Sequence, residues 1–194
     1  MISQSLTDGG VVHFAEAFYS PAQADDLFAR LKSEVAWKQE TGPFGHPLPR
    51  LTAWYADLGV SYRYSGIDNL PQSWLPLLLD VKLMVEGAAQ HTFNSLLLNY
   101  YRSGQDSIGY HADDEPELGL NPVIGSLSFG GARSFVLKHN TTKEKHTYNL
   151  THGSLLIMAG TCQHFWKHAL PKTTKNVGER INLTFRWTTP PAEA

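Results

Sequence analysis

The sequence predicts a mostly β, α+β protein, in which a sandwich or barrel of short strands is buttressed by two helices. Two observations predict it. Beyond Ser95 the apolar runs are short and punctuated by Gly or Asn, at Gly104, Gly130-Gly131, Asn140, Gly153 and Gly160, the mark of an all-β array. Ahead of Ser95, two stretches carry apolar residues at helical rather than alternating spacing.

The elements are taken in chain order. Ser20-Pro21 offers an N-cap and a first helical residue. After it Ala24, Leu27, Phe28, Leu31 and Val35 keep helical spacing to about Trp37. Phe44 to Pro49 is rich in Gly and Pro and reads as a loop or hairpin tip. Arg50 to Tyr64 is aromatic and strand-like. A second helix is expected from about Ser73 to Gln90, with Leu75, Leu78, Leu79, Leu83 and Val85 as its apolar side. Strands are expected over Ser95–Tyr101, Val123–Phe129, Arg133–Lys138, Lys145–Leu150, Ser154–Met158, Phe165–Ala169 and Arg180–Trp187.

The chain of 194 residues suits one domain, with a helical and lid portion over 1–93 and a β core over 94–189. No apolar run approaches the roughly 20 residues of a membrane span, and Pro76 and Asp80 interrupt the longest. The first residues, MISQSLTDGG, lack a basic region followed by an apolar stretch, so no secretory signal is expected. Cys162 is the one cysteine, which excludes an internal disulfide and a zinc-cysteine cluster. An intracellular setting is therefore expected, cytoplasmic in a bacterium or nuclear in a eukaryote. The net charge of -2 argues against a non-specific nucleic-acid binder. Any such contact must come from local patches such as Lys138, Lys143, Lys145, Lys167, Lys172 and Lys175.

Three segments carry candidate chemistry. In GYHADDE, His111 and Asp113 form a His-x-Asp pair. In an extended segment both would point the same way and could share one metal ion, although a solvated turn explains such a pair equally well. A third ligand would complete a 2-His-1-carboxylate set, which holds Fe(II) with open positions. His168, His164 and His152 all qualify from spacing alone. In RINLTFRW, alternation puts Arg180, Asn182, Thr184 and Arg186 on one face and Ile181, Leu183, Phe185 and Trp187 on the other. The polar face is either solvated or built to hold a dicarboxylate, which the planar fork of Arg pairs through two hydrogen bonds. In LLLNYYR, Asn99 and Tyr101 share one face and could serve the same acid.

Taken together, these segments resemble the AlkB family of Fe(II)- and 2-oxoglutarate-dependent dioxygenases. The likeness runs from about Leu97 to Trp187, through N-x-Y-R, DSIGYHADDE, GSLSFGGARSFVLKH, HGSLLIM, WKHALP and R-x-N-L-T-F-R. It implies a double-stranded β-helix, or jelly-roll barrel, with iron at one mouth. It selects His168 with His111 and Asp113 as iron ligands. It places Asn99, Tyr101, Arg180, Thr184 and Arg186 on 2-oxoglutarate, with Asn182 beside them. Arg180 would take the distal carboxylate and Arg186 would lie nearer the iron, about 20 Å along a strand rising about 3.3 Å per residue.

The N-terminal half is similar to the branch that repairs duplex DNA. It carries Pro49-Arg50 and a lid-like Tyr62-Arg63-Tyr64-Ser65-Gly66, and Asp114 follows the iron-binding Asp. This implies oxidative removal of alkyl groups from DNA bases such as 1-methyladenine and 3-methylcytosine, by a monomer that flips the base into its pocket. Arg50, Tyr62, Tyr64 and Asp114 would surround that base. Trp54 or His139 could also stack on it. Phe44 would wedge into the opened stack. The alternatives are the same chemistry on RNA, tRNA or protein, and a non-catalytic metal-binding β module.

Overall fold

The computed structural model describes residues 1–42, 45–60, 62–64, 67–69 and 72–189, with backbone only for 62–64 and 67–69. The strands are β1 (Ile2–Ser5), β2 (Gly10–Ala15), β3 (Leu51–Ala56), β4 (Tyr62–Tyr64), β5 (Ile67–Asn69), β6 (Ser95–Tyr101), β7 (Ile108–His111), β8 (Ile124–Gly130), β9 (Arg133–His139), β10 (Lys145–Leu150), β11 (Ser154–Gly160), β12 (Trp166–Leu170) and β13 (Arg180–Arg186). The helices are α1 (Pro21–Glu34), α2 (Pro76–Ala89) and the single turn α3 (Cys162–Phe165).

A seven-stranded sheet runs β1-β2-β11-β8-β13-β6-β3, and a four-stranded sheet runs β10-β9-β12-β7. From β6 onward the chain passes back and forth between them. All the pairings within both sheets are antiparallel. Among the described residues no ladder joins the two sheets, so the expected mostly β architecture with helices on one side is present as an open pair of sheets, not a closed barrel.

Helix α1 starts as the sequence predicts. The Ser20 hydroxyl accepts from the Gln23 backbone N–H at 3.4 Å while the Gln23 carbonyl oxygen accepts from the Ser20 N–H at 3.1 Å, a capping box ahead of Pro21. It ends at Glu34, short of Trp37, where Val35 turns extended. Helix α2 starts at Pro76 and stops where Gln90 adopts a left-handed φ of 50°. Its buried side is Leu77, Leu78, Val81 and Val85, which keeps Leu78 and Val85 of the expected one and replaces Leu79 and Leu83. Leu79 and Leu83 are exposed, because at 100° per residue an i, i+4 pair offset from Leu77 and Val81 faces outward.

Both helices pack on one face of the seven-stranded sheet. Ala24, Leu31, Leu78 and Val85 join Leu96, Leu98, Leu127, Ile181, Leu183 and Phe185 in the main core. Complete burial of such side chains stabilises by about 1.5–3 kcal/mol each. The opposite face looks toward the four-stranded sheet. There the space is apolar at one end, filled by Val12, Ile124, Leu137, Leu156, Met158 and Trp166, and polar at the other. The strands β1 and β2 escaped the sequence reading, although Val12 and Phe14 flank His13 with the period of a strand. Among the described residues no helix is long and apolar enough to cross a membrane.

Candidate active site

The polar end is a cleft of about 520 Å³, its open mouth included. Strand alternation makes it. Tyr101 stands opposite Arg180 and Asn99 opposite Asn182 in the β6–β13 ladder. Leu97 and Thr184 continue the same face. Their neighbours Tyr100, Ile181, Leu183 and Phe185 point into the helix-covered core. The four polar residues predicted on β13 and the two on β6 therefore line one cavity, together with His111, Asp113 and His168.

The last three converge at one point. His111 ends β7 and stands directly opposite His168 of β12 in the antiparallel ladder. Ligand atoms of His111, Asp113 and His168 all lie within 4.8 Å of one another. The Nδ1 atom of His111 is 2.8 Å from the Gly109 carbonyl, which can only accept, so Nδ1 is the donor of that bond. Nε2 is 3.9 Å from Asp113 Oδ1. The buried His168 ring stacks on Phe135 with centroids 5.3 Å apart, and its Nδ1 is buried without a partner. Burial, then the charge of His111, pushes the His168 imidazole down to about 3, so it is neutral at physiological pH. Burial pushes the Asp113 carboxyl up, but the charges of Arg186, His168 and His111 outweigh it and hold the group below the usual carboxylate range. Two imidazoles and an ionised carboxylate form a donor set that fits Fe(II).

The other histidines are engaged elsewhere. His164 lies on α3, exposed, with its ring on the Leu120 carbonyl. The His152 Nδ1 accepts from the Gly130 N–H at 2.8 Å, and its Nε2 is 3.1 Å from Asp25. His139 is not in the cleft, contrary to its place among the candidates for stacking. It is buried against Trp166, accepts at Nδ1 from the Thr141 and Thr142 N–H groups, and meets Asp8 at 2.9 Å. Trp54 is buried in a small cluster with Ala56, Val60 and Leu118.

At the far end Arg180 is 2% exposed. Its Nη2 donates to the Ser128 hydroxyl at 2.9 Å and its guanidinium lies over the Tyr101 ring at 5.2 Å, while its Nε is buried without a partner. Burial lowers its pKa to about 10, and it still carries its charge at neutral pH. A buried cation with an unsatisfied N–H is costly and fits an acidic ligand. The Asn99 carbonyl oxygen accepts from the buried Arg50 Nε at 2.7 Å, which leaves the Asn99 amide N–H groups for the cavity. Asn182 is used internally: its amide donates to the Ser126 hydroxyl and the Leu127 carbonyl, both at 3.0 Å, and its oxygen accepts from Thr184.

Arg186 sits at the His111–Asp113–His168 end, where Nε and Nη2 both donate to Asp113 Oδ2. Asp114 is exposed beside it. Phe44 and the Ser65-Gly66 pair lie outside the described residues, as do the side chains of Tyr62 and Tyr64.

Two further residues of the site are not among those singled out from the sequence. Gln163 accepts from the Asp113 backbone N–H at 2.9 Å. Arg133 donates to the carbonyls of Ser103, Asp106 and Pro171, and its guanidinium lies over the Tyr101 ring at 5.9 Å.

A fold of two antiparallel sheets with a His-Asp-His cluster and a buried arginine at opposite ends of one cleft defines an iron- and 2-oxo-acid-dependent oxygenase. The chain belongs to the 2OG-Fe(II) oxygenase superfamily, whose model matches residues 10–186, and within it to the AlkB relatives; its cofactor and co-substrate are Fe(II) and 2-oxoglutarate. It is 43% identical over 197 residues to the alpha-ketoglutarate-dependent dioxygenase alkB homolog 3 of Rattus norvegicus, covering 95% of this chain and 66% of the relative. It is 38% identical over 182 residues to the DNA oxidative demethylase ALKBH2 of Homo sapiens, covering 87% of this chain and 70% of the relative. The chain thus spans about two thirds of the length of these curated relatives. A solved structure of OsALKBH1 shares the fold at a TM-score of 0.69 and 19% identity, covering 96% of this chain and all of that one.

Proposed function

We propose that the protein removes alkyl groups oxidatively from DNA bases. The observation that carries this reading is the single cleft in which a ligand set for Fe(II) faces a buried, incompletely bonded Arg180. The named relatives, a dioxygenase and a DNA oxidative demethylase, support the reaction class and the substrate. In this reading β6 to β13 wind as a double-stranded β-helix. His111, Asp113 and His168 hold Fe(II). Arg180, Tyr101, Asn99 and Thr184 hold 2-oxoglutarate, and Arg186 fixes the metal-binding carboxylate.

When bound, iron supplies the activation of oxygen at the expense of 2-oxoglutarate. The net change consumes oxygen and 2-oxoglutarate, releases succinate and carbon dioxide, and inserts one oxygen atom into an alkyl C–H bond. The N–C bond then breaks with its electron pair left on the base nitrogen, the hydroxyl proton is lost to solvent, and the carbon leaves as an aldehyde. The chain's own part is placement. Arg180 neutralises the distal carboxylate, Asn99 and Tyr101 orient the acid, and Phe135 and Leu170 add apolar surface to the lining of the cleft. Asp114, exposed beside the site, offers a negative charge to a cationic methylated base.

A target carbon inside a duplex is inaccessible, so the base is flipped out. The segment that carries Phe44 supports a wedge. On either side of it Gly42 donates to the His46 carbonyl at 2.8 Å and Leu48 to that of Glu40 at 2.8 Å, so its flanks fold back as a hairpin. Lys145, Lys138 and Lys167 are direct cross-strand neighbours on the outer face of the four-stranded sheet. Like charges in such register destabilise a sheet unless an anion meets them, and a phosphate backbone is such an anion.

The test is succinate and aldehyde release with oligonucleotides carrying single 1-methyladenine or 3-methylcytosine, as single strands and as duplexes, beside methylated RNA and peptide. Turnover on methylated DNA supports the reading. Turnover on RNA or peptide alone replaces the substrate. No turnover with any of them, despite tight binding of metal and 2-oxoglutarate, favours a binding module.

A further inference from the structure

We propose that Gln163 is a positioning residue for the metal site, holding Asp113 in place through its backbone N–H. The inference rests on the reading of His111, Asp113 and His168 as metal ligands.

His111 and His168 are fixed to one another by the β7–β12 ladder. Asp113 is not, because β7 ends at His111 and the alternation of a strand no longer orients the residues beyond it. Two contacts do that work instead. Arg186 grips one carboxylate oxygen. The Gln163 side-chain oxygen accepts from the Asp113 N–H at 2.9 Å.

Gln163 is 1% exposed, and a carboxamide so buried needs good partners. Its oxygen has one. Among the described residues its Nε2 faces only the Met158 sulfur, at 3.7 Å, which is a weak acceptor. The Asp113 N–H therefore decides which way the amide points; the reverse orientation would set two donors face to face. Gln163 lies on α3, which runs directly into β12, the strand that carries His168. One side-chain hydrogen bond thus ties the segment bearing Asp113 to the segment bearing His168. An apolar residue at this position would leave a buried N–H unpaired next to a ligand.

The test measures Co(II) affinity by direct calorimetric titration, and the visible absorption of bound Co(II), in wild type, Gln163→Met, Gln163→Glu, Gln163→Asn and His111→Ala. Gln163→Met keeps the length and removes the acceptor; Gln163→Glu keeps the acceptor; Gln163→Asn withdraws it. Loss of an outer partner of a metal ligand typically weakens metal binding about 10–100-fold, and that is expected of Gln163→Met and Gln163→Asn, with an altered cobalt spectrum. Gln163→Glu should stay within about threefold of wild type, since the acceptor is restored. Wild-type affinity in Gln163→Met overturns the proposal, as does equal loss in Gln163→Glu. If Gln163→Met does not fold, Gln163→Asn decides in the same way. Failure of wild type itself to bind Co(II), or full binding by His111→Ala, would instead remove the ligand assignment.

Discussion

Arg186 donates from Nε at 3.0 Å and from Nη2 at 2.9 Å to the same oxygen of Asp113, and both side chains are almost wholly buried. The arginine that the family likeness puts on 2-oxoglutarate is thus bound first to a proposed metal ligand. Breaking a buried pair by removing one partner costs about 3–5 kcal/mol. Arg186→Met should therefore destabilise the metal-free protein by about that amount in urea denaturation, and should weaken metal binding as well as 2-oxoglutarate binding. A change in stability below about 1 kcal/mol would mean that Asp113 finds other support.

Arg180 should behave in the opposite way. It is a buried cation with an unpartnered Nε and, among the described residues, no carboxylate against it. Arg180→Met should leave the metal-free protein as stable as wild type or more so, because an unpaired charge is replaced by an apolar chain. It should weaken 2-oxoglutarate binding by about 2–4 kcal/mol, the loss of one or two charge-assisted hydrogen bonds, and spare metal affinity. Calorimetric titration of each ligand separates the two arginines. Equal effects of Arg180→Met and Arg186→Met on metal binding would contradict the division between the two ends of the cleft.

Among the histidines, His168→Ala should abolish metal binding while His164→Ala leaves it near wild type. His168 is buried opposite His111, whereas the His164 ring is exposed on the Leu120 carbonyl. Loss of metal in His164→Ala with retention in His168→Ala would reverse the assignment.

Acid should unfold the metal-free protein partly through His168. Its folded pKa is about 3, lowered by burial first and then by His111, against about 6.5 for a free imidazole. Between those values the unfolded chain binds a proton that the folded chain refuses, so stability present above about pH 6.5 is lost as pH falls. The slope contributed is at most about 1.4 kcal/mol per pH unit. His168→Leu should flatten the stability profile between about pH 6.5 and pH 4.5. Asp113, also held low, adds its loss only below about pH 4. Parallel profiles for wild type and His168→Leu would show that the histidine does not contribute.

Much of the cleft was legible because strand alternation is local. Arg180, Asn182, Thr184 and Arg186 could be sorted from Ile181, Leu183 and Phe185 by position alone, and the structure sorts them the same way. Spacing could not choose among His164, His152 and His168, since that choice depends on which strand pairs with β7. What stayed hidden is long-range pairing between side chains far apart in sequence: Arg186 with Asp113, Arg50 with Asn99, and Gln163 with the Asp113 backbone. None carries a local period or motif. The outward turn of Leu79 and Leu83 was hidden for a related reason, since a helix apolar on several sides does not reveal which side its sheet will cover.

Strand β7 is the edge of the four-stranded sheet, with β12 as its one neighbour among the described residues and an irregular register between His168 and Leu170. A proposed ligand stands at its last position. Edge strands with one short ladder open at low free-energy cost. A metal ion bridging His111 to His168 would close that opening as a crosslink between the two strands. Occupancy should then be written into the backbone: the amide protons of residues 108–111 should exchange with deuterated solvent quickly in the metal-free protein and much more slowly once Co(II) or Mn(II) is bound, while the amides of β8 and β13 at the centre of the larger sheet stay equally protected in both states.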